Sequence, residues 1–461
     1  MKIVIGSSIT VSSPTQEICK LCNKELIIDN PDYISKLKAG RWIGNTPPKM
    51  YLYERRGDDL IVPFGFLNQI SKTQSGANAE IVWESYRPKE DFAADYKSTI
   101  QLYDYQQDVV DKMIMMRNGI AVMPCGSGKS QVALECIARL GLKTLWLTHT
   151  QDLLNQSLER AKNCFDCSDD MFGTITAGKV NISNGITFAT VQTMCKLDLA
   201  KYRKEWAVVV VDECQHCCSG SPTRVTQFYK VVNNLYAPYK FGLTATPKRS
   251  NGLEKSMFAL IGGVIYKVDR SAVAENTCKV VVKTVETGYQ PNMDNVLGGD
   301  GTLDYMALID DLISNEDRFK KVLETIERLD GSAIVLANRV AYLQRLNEAY
   351  SGQSVCLSGA GYTKKAKEER KAALEKLRCG DIDIVFSTYA LASEGLDCPT
   401  LKYVVLATPE KNPTLIEQSV GRVMRKAPNK KYGIVIDFVD EFLMYKKWHN
   451  LRKGIYKKLE I

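Results

Sequence analysis

Met123-Pro124-Cys125-Gly126-Ser127-Gly128-Lys129-Ser130 lies between an apolar run, Gly119-Ile120-Ala121-Val122-Met123, and a helical pattern from Gln131 to Leu140. Strand, glycine-rich turn and helix are the setting that a phosphate-binding loop requires. Glycines let backbone N–H groups close around phosphate oxygens, and the helix N-terminus favours their negative charge. Gly126, Ser127 and Gly128 would form that cradle. Lys129 would reach the β- and γ-phosphates of a bound nucleotide, and the Ser130 hydroxyl would hold Mg²⁺. Met123 stands where the general pattern has its first glycine, so the strict match fails at one position.

A second element follows some eighty residues on. Val208-Val209-Val210-Val211-Asp212-Glu213-Cys214-Gln215-His216 places two carboxylates at the end of an apolar strand. Asp212 suits the Mg²⁺ shell, and Glu213 suits polarising an attacking water. The two elements together indicate a nucleotide hydrolase.

Short β-branched runs alternate with helical patterns on both sides of this pair. In residues 99–268 the runs centre on 119–123, 144–147, 186–189 and 207–211; in 269–461 they centre on 333–336, 382–386, 403–406 and 433–436. That rhythm indicates parallel βαβ units. Lys364 to Arg378 reads as a charged helix stopped near Gly380, and Gly298-Gly299-Asp300-Gly301 as a loop. Residues 1–98 mix short β-like runs, such as Tyr51-Leu52-Tyr53 and Leu60-Ile61-Val62, with Pro and Gly turns. The expected fold class is α/β: two tandem parallel-sheet domains, 99–268 and 269–461, behind a small mixed α+β N-terminal domain.

Further stretches now carry a resemblance. Gly128-Lys129-Ser130, Asp212-Glu213-Cys214-Gln215 and Gly242-Leu243-Thr244-Ala245-Thr246-Pro247 resemble the first, second and third motifs of superfamily 2 helicases. Ser387-Thr388 through Glu394-Gly395-Leu396-Asp397-Cys398-Pro399 is similar to the fifth motif, and Glu417-Gln418-Ser419-Val420-Gly421-Arg422-Val423-Met424-Arg425 to the sixth. Leu102-Tyr103-Asp104-Tyr105-Gln106 looks like the upstream adenine-contacting element, with Tyr103 where relatives often have Arg. The order holds over about 99–440. The XPB/RecG-related branch, and within it the UvsW-like branch-migration helicases of tailed phages, give the nearest pattern. Gln215 departs from the acidic box that more often has His in that place; here His216 follows it.

The resemblance implies two RecA-like domains with ATP and Mg²⁺ between them. It implies Tyr105 and Gln106 on adenine, and Gln215 bridging the phosphate to the third motif. Gln418, Arg422 and Arg425 would act on the γ-phosphate from the second domain, Gly395 and Asp397 would approach the nucleotide, and Thr244 and Thr246 would couple hydrolysis to domain movement. Candidate nucleic-acid contacts are Thr148, Gln151, Lys179 and Thr193 in the first domain, with Asn338, Arg339 and Thr388 in the second. Hydroxyls and amides of this kind suit phosphate rather than base edges. The implied activity is an ATP-dependent DNA helicase or translocase, acting on forks or four-way junctions in replication, recombination or repair. The N-terminal domain would select the DNA structure. An RNA helicase with the same core, an ATP-switched nucleic-acid-binding module and the motor subunit of a larger complex are the rival readings.

Composition agrees with this and narrows it little. The chain has 461 residues, of which 45% are hydrophobic and 25% charged, a globular mixture. Net charge is +8, and from Pro413 onward eleven Lys/Arg face five Asp/Glu. No apolar stretch approaches the ~18–20 residues of a membrane span. Met1-Lys2-Ile3-Val4-Ile5-Gly6 turns polar at once and reads as a strand rather than a secretory signal. Fourteen cysteines without an export signal point to a reducing cytoplasm, that of a host cell if the protein is a phage's. Cys19 and Cys22 have zinc-ligand spacing but lack a second pair nearby, so zinc is not expected, and a metal-free strand–turn–strand knuckle is the other reading. A monomer, working with replication or recombination proteins, is the expected state.

Overall fold

The computed structural model describes residues 1–84, 97–124, 126–176, 178–218, 226–247, 253–274, 277–299, 301–357, 364–393, 398–428 and 430–461. They form two compact units. One comprises Met1–Pro124 and Gly128–Asp269; the other comprises Arg270–Ile461 together with Cys125–Ser127.

The first unit opens with a five-stranded sheet: β1 (Lys2–Ile5), β2 (Ser8–Ser12), β3 (Glu54–Arg56), β4 (Asp59–Pro63) and β5 (Glu80–Trp83), in the order β3-β4-β2-β1-β5. Its inward residues alternate with outward ones, as in Ile9 and Val11 of β2. The segment expected as a strand at 51–53 is a strand over Lys49–Tyr51 instead, paired with Ile27–Asp29.

The main sheet of this unit has eight strands. They are β6 (Asn118–Val122), β7 (Thr144–Thr148), β8 (Phe172–Thr176), β9 (Lys179–Asn181), β10 (Ile186–Thr190), β11 (Val208–Val211), β12 (Tyr239–Thr244) and β13 (Val264–Lys267). Their order is β9-β8-β10-β7-β11-β12-β6-β13, parallel except for the β8–β9 pair. Strands β6, β7, β10 and β11 are buried on both faces, which is why each reads as an unbroken apolar run.

The two sheets share one hydrophobic core. Ile9, Val62, Phe64 and Phe66 belong to the same buried cluster as Ile120, Leu147, Val211 and Leu260. Backbones meet closely there. A Cβ at Gly65 would fall 2.3 Å from the Gly262 nitrogen, so only glycine fits. Arg203 clamps Glu84 with Nη1–Oε1 2.6 Å and Nη2–Oε2 2.7 Å, and the Tyr236 hydroxyl donates to the Glu84 carbonyl at 2.8 Å.

The second unit holds a six-stranded, all-parallel sheet: β14 (Lys279–Glu286), β15 (Ala333–Ala337), β16 (Ser354–Leu357), β17 (Ile384–Thr388), β18 (Tyr403–Leu406) and β19 (Tyr432–Val439), ordered β14-β19-β18-β15-β17-β16. Arg318 and Asp440, both fully buried, pair at 2.7 Å, and Asp437 accepts hydrogen bonds from Arg452 and Tyr456 of the C-terminal helix Leu443–Lys458. The helix expected at 364–378 runs Lys364–Cys379. The loop at 298–301 is a turn in which Gly298 N–H donates to the Thr302 carbonyl; Asp300 lies outside the described residues.

Candidate active site

The functional side chains of the first unit leave from the carboxyl ends of adjacent parallel strands, where open α/β sheets bind ligands. The loop after β6 leads into helix Lys129–Leu140, whose N-cap Gly128 is left-handed (φ +81°). Gly126 is left-handed as well (φ +83°). A Cβ at Gly128 would lie 2.4 Å from Nε2 of Gln106, so the adenine-candidate glutamine rests directly on the phosphate loop. Gln106 is buried, and its Oε1 accepts from the Tyr103 N–H at 3.0 Å, capping helix Asp104–Met116. Tyr105 stacks on Tyr103 with ring centroids 5.9 Å apart. Ser127 is fully buried.

The acidic pair follows β11. Glu213 adopts a left-handed backbone (φ +49°), unusual for a residue with a Cβ and costly by about 1–3 kcal/mol. That turn aims its carboxylate at Lys129, with Nζ–Oε1 3.5 Å. Asp212 accepts from the Glu213 N–H at 3.0 Å. Burial, then the neighbouring Glu213, pushes the Asp212 carboxyl up to about 6. Burial acts to raise Glu213 too, but Lys129, the Gln215 hydrogen bond and His216 outweigh it and hold that carboxyl below its usual value.

A continuous relay leads onward. Gln215 Nε2 donates to Glu213 Oε2 at 2.7 Å; Thr244 Oγ1 donates to Gln215 Oε1 at 2.7 Å; the Thr246 N–H donates to Thr244 Oγ1 at 3.0 Å. The glutamine that departs from the usual acidic box is therefore the bridge between the acids and the threonine pair. His216 stacks on His149, with ring centroids 4.1 Å apart.

Two contacts here carry no sequence signal. Arg160, from helix Gln151–Cys164, donates Nη1 to Ser130 Oγ at 2.8 Å. His149 meets His216 only because β7 and β11 are neighbours.

The other half of the same edge holds the candidate nucleic-acid residues. Thr148 ends β7 opposite Thr190 of β10, and Lys179 pairs with Thr176 of β8. Thr148 is buried, its hydroxyl donating to the Thr150 carbonyl at 3.0 Å. Thr193 Oγ1 lies 2.9 Å from Thr190 Oγ1, Gln151 Nε2 donates to Asn155 at 3.1 Å, and Lys179 is exposed. Gln192 Nε2 donates to the His149 carbonyl at 2.6 Å, tying the loop after β7 to the short helix Val191–Met194 that follows β10.

In the second unit, Asn338 and Arg339 follow β15 and Thr388 ends β17. Asn338 Nδ2 donates to the Pro409 carbonyl at 3.0 Å, Arg339 Nε to Asp310 at 2.8 Å, and the Leu391 N–H to Thr388 Oγ1 at 3.3 Å. Helix Pro413–Val423, started by Asn412 and Pro413, carries Gln418 and Arg422 one turn apart; Arg425 lies just past its end. Glu417, buried on the same helix, pairs with Arg270 at 2.7 Å. Gly395 and Asp397 lie outside the described residues.

These residues fit a nucleoside triphosphate with a divalent cation. The loop offers two left-handed glycines and a lysine, and Asp212 is a buried carboxylate whose ionised form a cation would favour. The cysteine pair does not form the strand–turn–strand knuckle that is the other reading of its spacing. Cys19 and Cys22 lie one turn apart on helix Gln16–Glu25, with Cys22 on its buried face and its thiol pushed up to about 12 by burial. Among the described residues, no cluster of three or more His, Cys, Asp or Glu side chains is placed to hold a metal ion. Among those residues too, no helix is long and apolar enough to cross a membrane.

Comparison with known proteins finds helicase families and relatives. Residues 99–249 match the family described as type III restriction enzyme, res subunit, and residues 317–427 match the helicase conserved C-terminal domain. A putative ATP-dependent RNA helicase of Acanthamoeba polyphaga mimivirus is 26% identical over 79% of this chain and 69% of its own. The DNA 3'-5' translocase XPB2 of Sulfurisphaera tokodaii is 26% identical over 74% of this chain and 82% of its own. The ATP-dependent DNA helicase uvsW of phage T4 is 22% identical over 91% and 86%. Among solved structures, the helicase domain of Hef from Pyrococcus furiosus superposes with a TM-score of 0.51, at 16% identity, over 76% of this chain and 97% of that one.

Proposed function

The chain belongs to superfamily 2 of the helicases, enzymes that couple ATP hydrolysis to work on nucleic acid, and from that premise we propose that it is a DNA motor that unwinds or branch-migrates forked and junction DNA. One observation carries the reading. A single sheet edge holds the phosphate loop and acids on one half, hydroxyls and amides on the other, and the His149–His216 stack at the join.

Bound ATP with Mg²⁺ would supply the phosphoanhydride whose cleavage drives the cycle. Lys129 would neutralise phosphate charge, Ser130 and Asp212 would hold the cation, and Glu213 would take a proton from the attacking water. Tyr105 and Gln106 face the adenine. Gln215, Thr244 and Thr246 carry the change at Glu213 toward the rest of the sheet edge. By the resemblance, Gln418, Arg422 and Arg425 would supply charge and hydrogen bonds to the γ-phosphate, with Gly395 and Asp397 in the roles that the family gives them. Gln151, Lys179, Thr193, Asn338, Arg339 and Thr388 would grip the sugar-phosphate backbone, whereas Thr148 is buried with its hydroxyl bonded to the Thr150 carbonyl. The setting is the cytoplasm, that of a host if the protein is a phage's.

The test follows a labelled four-way junction resolved to duplex products over time. The reading expects product only with ATP and Mg²⁺, and none from Glu213→Gln. No product from fork or junction under any condition contradicts it. A second reading, an RNA helicase, has support in the mimivirus relative's name; stimulation of ATP hydrolysis by RNA and not DNA would favour it.

A further inference from the structure

Beside the backbone-gripping residues of the second unit stands an aromatic side chain that no motif contains. Tyr305 begins helix Tyr305–Ser314 and is 48% exposed. Its backbone is fixed by Asp304, whose carboxylate accepts from the Met306 N–H at 2.7 Å and the Ala307 N–H at 3.3 Å. Its ring is fixed from behind by Trp448, with centroids 6.3 Å apart and planes inclined by 22°. Trp448 is itself buried, in a small core with Leu308, Leu312 and Tyr445.

One cation lies at that ring and a second at its chain neighbour. Lys411 Nζ lies 4.8 Å from its centroid. Arg339 Nη2 lies 3.6 Å from Sδ of Met306, the next residue in the chain. Lys411 belongs to the loop after β18, and Asn338 is bonded to the Pro409 carbonyl of that loop, so Tyr305 sits at the sheet edge that carries Asn338 and Arg339. The acids close by are engaged. Asp304 caps the helix, Asp310 holds Arg339 at 2.8 Å, and Glu410 accepts from the Lys411 and Asn412 N–H groups at 2.8 Å each.

A half-exposed ring held from behind, with a cation beside it, is what a nucleobase stacks on when its phosphates are gripped alongside. We propose that Tyr305, with Lys411 beside it, is a stacking platform for a base of single-stranded nucleic acid running past Arg339. The proposal rests on the nucleic-acid reading above and deepens it: the second unit touches bases as well as phosphates, without choosing among sequences.

The test compares binding of an oligothymidylate with binding of an abasic strand of equal length, at one salt concentration, by wild type, Tyr305→Ala and Tyr305→Phe. Expected is a loss of roughly tenfold in affinity for the base-bearing strand in Tyr305→Ala, with the abasic strand unaffected and Tyr305→Phe close to wild type. An equal loss on both strands, or no loss on either, overturns the platform while leaving the motor reading intact. Wild type binding neither strand would overturn the nucleic-acid reading itself, and the platform with it.

Discussion

The imidazole rings of His149 and His216 stack with centroids 4.1 Å apart, joining the loop after β7 to the acidic turn after β11. His149 also accepts, through its carbonyl, the amide of Gln192 from the short helix after β10. A shift in that loop or helix therefore pushes on the turn that aims Glu213. His216→Ala removes the contact without touching a phosphate ligand. Expected is a several-fold greater loss in nucleic-acid-stimulated turnover than in basal turnover; an unchanged ratio of the two would show that the stack carries no signal.

The Thr244–Gln215 bond lies on the other side of the acids and is the proposed coupling element there. Thr244→Val keeps the volume and deletes the donor, leaving Gln215 Oε1 buried without it, at a cost of about 1–3 kcal/mol. The account expects more ATP consumed per base pair unwound, measured by parallel phosphate-release and strand-separation assays. Wild-type stoichiometry in the variant would rule the bridge out as a coupling element.

Glu213→Gln retains the shape of the site and removes the proposed base. Steady-state phosphate release should fall by roughly 10²–10⁴-fold while nucleotide binding persists. Arg422→Ala should fall by about 10³-fold, the range of other arginine fingers. Near-normal release by either variant removes that residue from the chemistry.

Much of this was legible because buried parallel strands leave an unbroken apolar signature ending in a chemical residue. β11 reads as four valines and then Asp212, and β6 runs straight into the phosphate loop. What stayed hidden depends on which strands become neighbours. Nothing near Arg160 in sequence says that its guanidinium meets Ser130, and nothing near His149 says that its ring meets His216. The N-terminal segment misled for a related reason. Cys19 and Cys22 lie on an amphipathic helix whose buried face is Ile18 and Cys22, so a ligand-like spacing there serves packing. Its aromatics divide as well: Phe64 and Phe66 are core, whereas Trp42 is 89% exposed and Tyr51 also faces solvent.

Lys240 gives a pH test of the join between the two sheets of the first unit. Its ammonium is fully buried, donates to the Val232 carbonyl at 3.1 Å and lies 4.7 Å from the Phe64 ring centroid. Burial, then Arg203, pushes its pKa down to about 7, against about 10.4 in an unfolded chain. Below pH 7 both states are protonated and the burial cost is felt in full. Between about 7 and 10 the folded state holds fewer protons than the unfolded one, so stability rises with pH. Lys240→Met should be the more stable protein at pH 6.5, less about 1 kcal/mol for the lost bond to Val232, with its advantage shrinking by pH 9.5. Urea unfolding at the two pH values checks it; an advantage that grows with pH contradicts the assignment.

Because residues 1–84 share their core with the first α/β layer, they are not a detachable module. A chain starting at residue 99 would expose Leu260 and Ile261, and should aggregate or melt well below the full-length protein. Trp42→Ala touches no core and should keep the melting temperature while weakening fork binding. A truncated chain as stable as the whole would refute the shared core, and unchanged fork affinity in Trp42→Ala would free that tryptophan of a role in DNA selection.

The most direct test of the central claim is steady-state ATP hydrolysis with no addition, single-stranded DNA, linear duplex, a model fork, a four-way junction and RNA, at constant salt because backbone binding depends steeply on it. The account predicts low basal turnover and its strongest stimulation by fork or junction DNA. Turnover that no nucleic acid changes would contradict it.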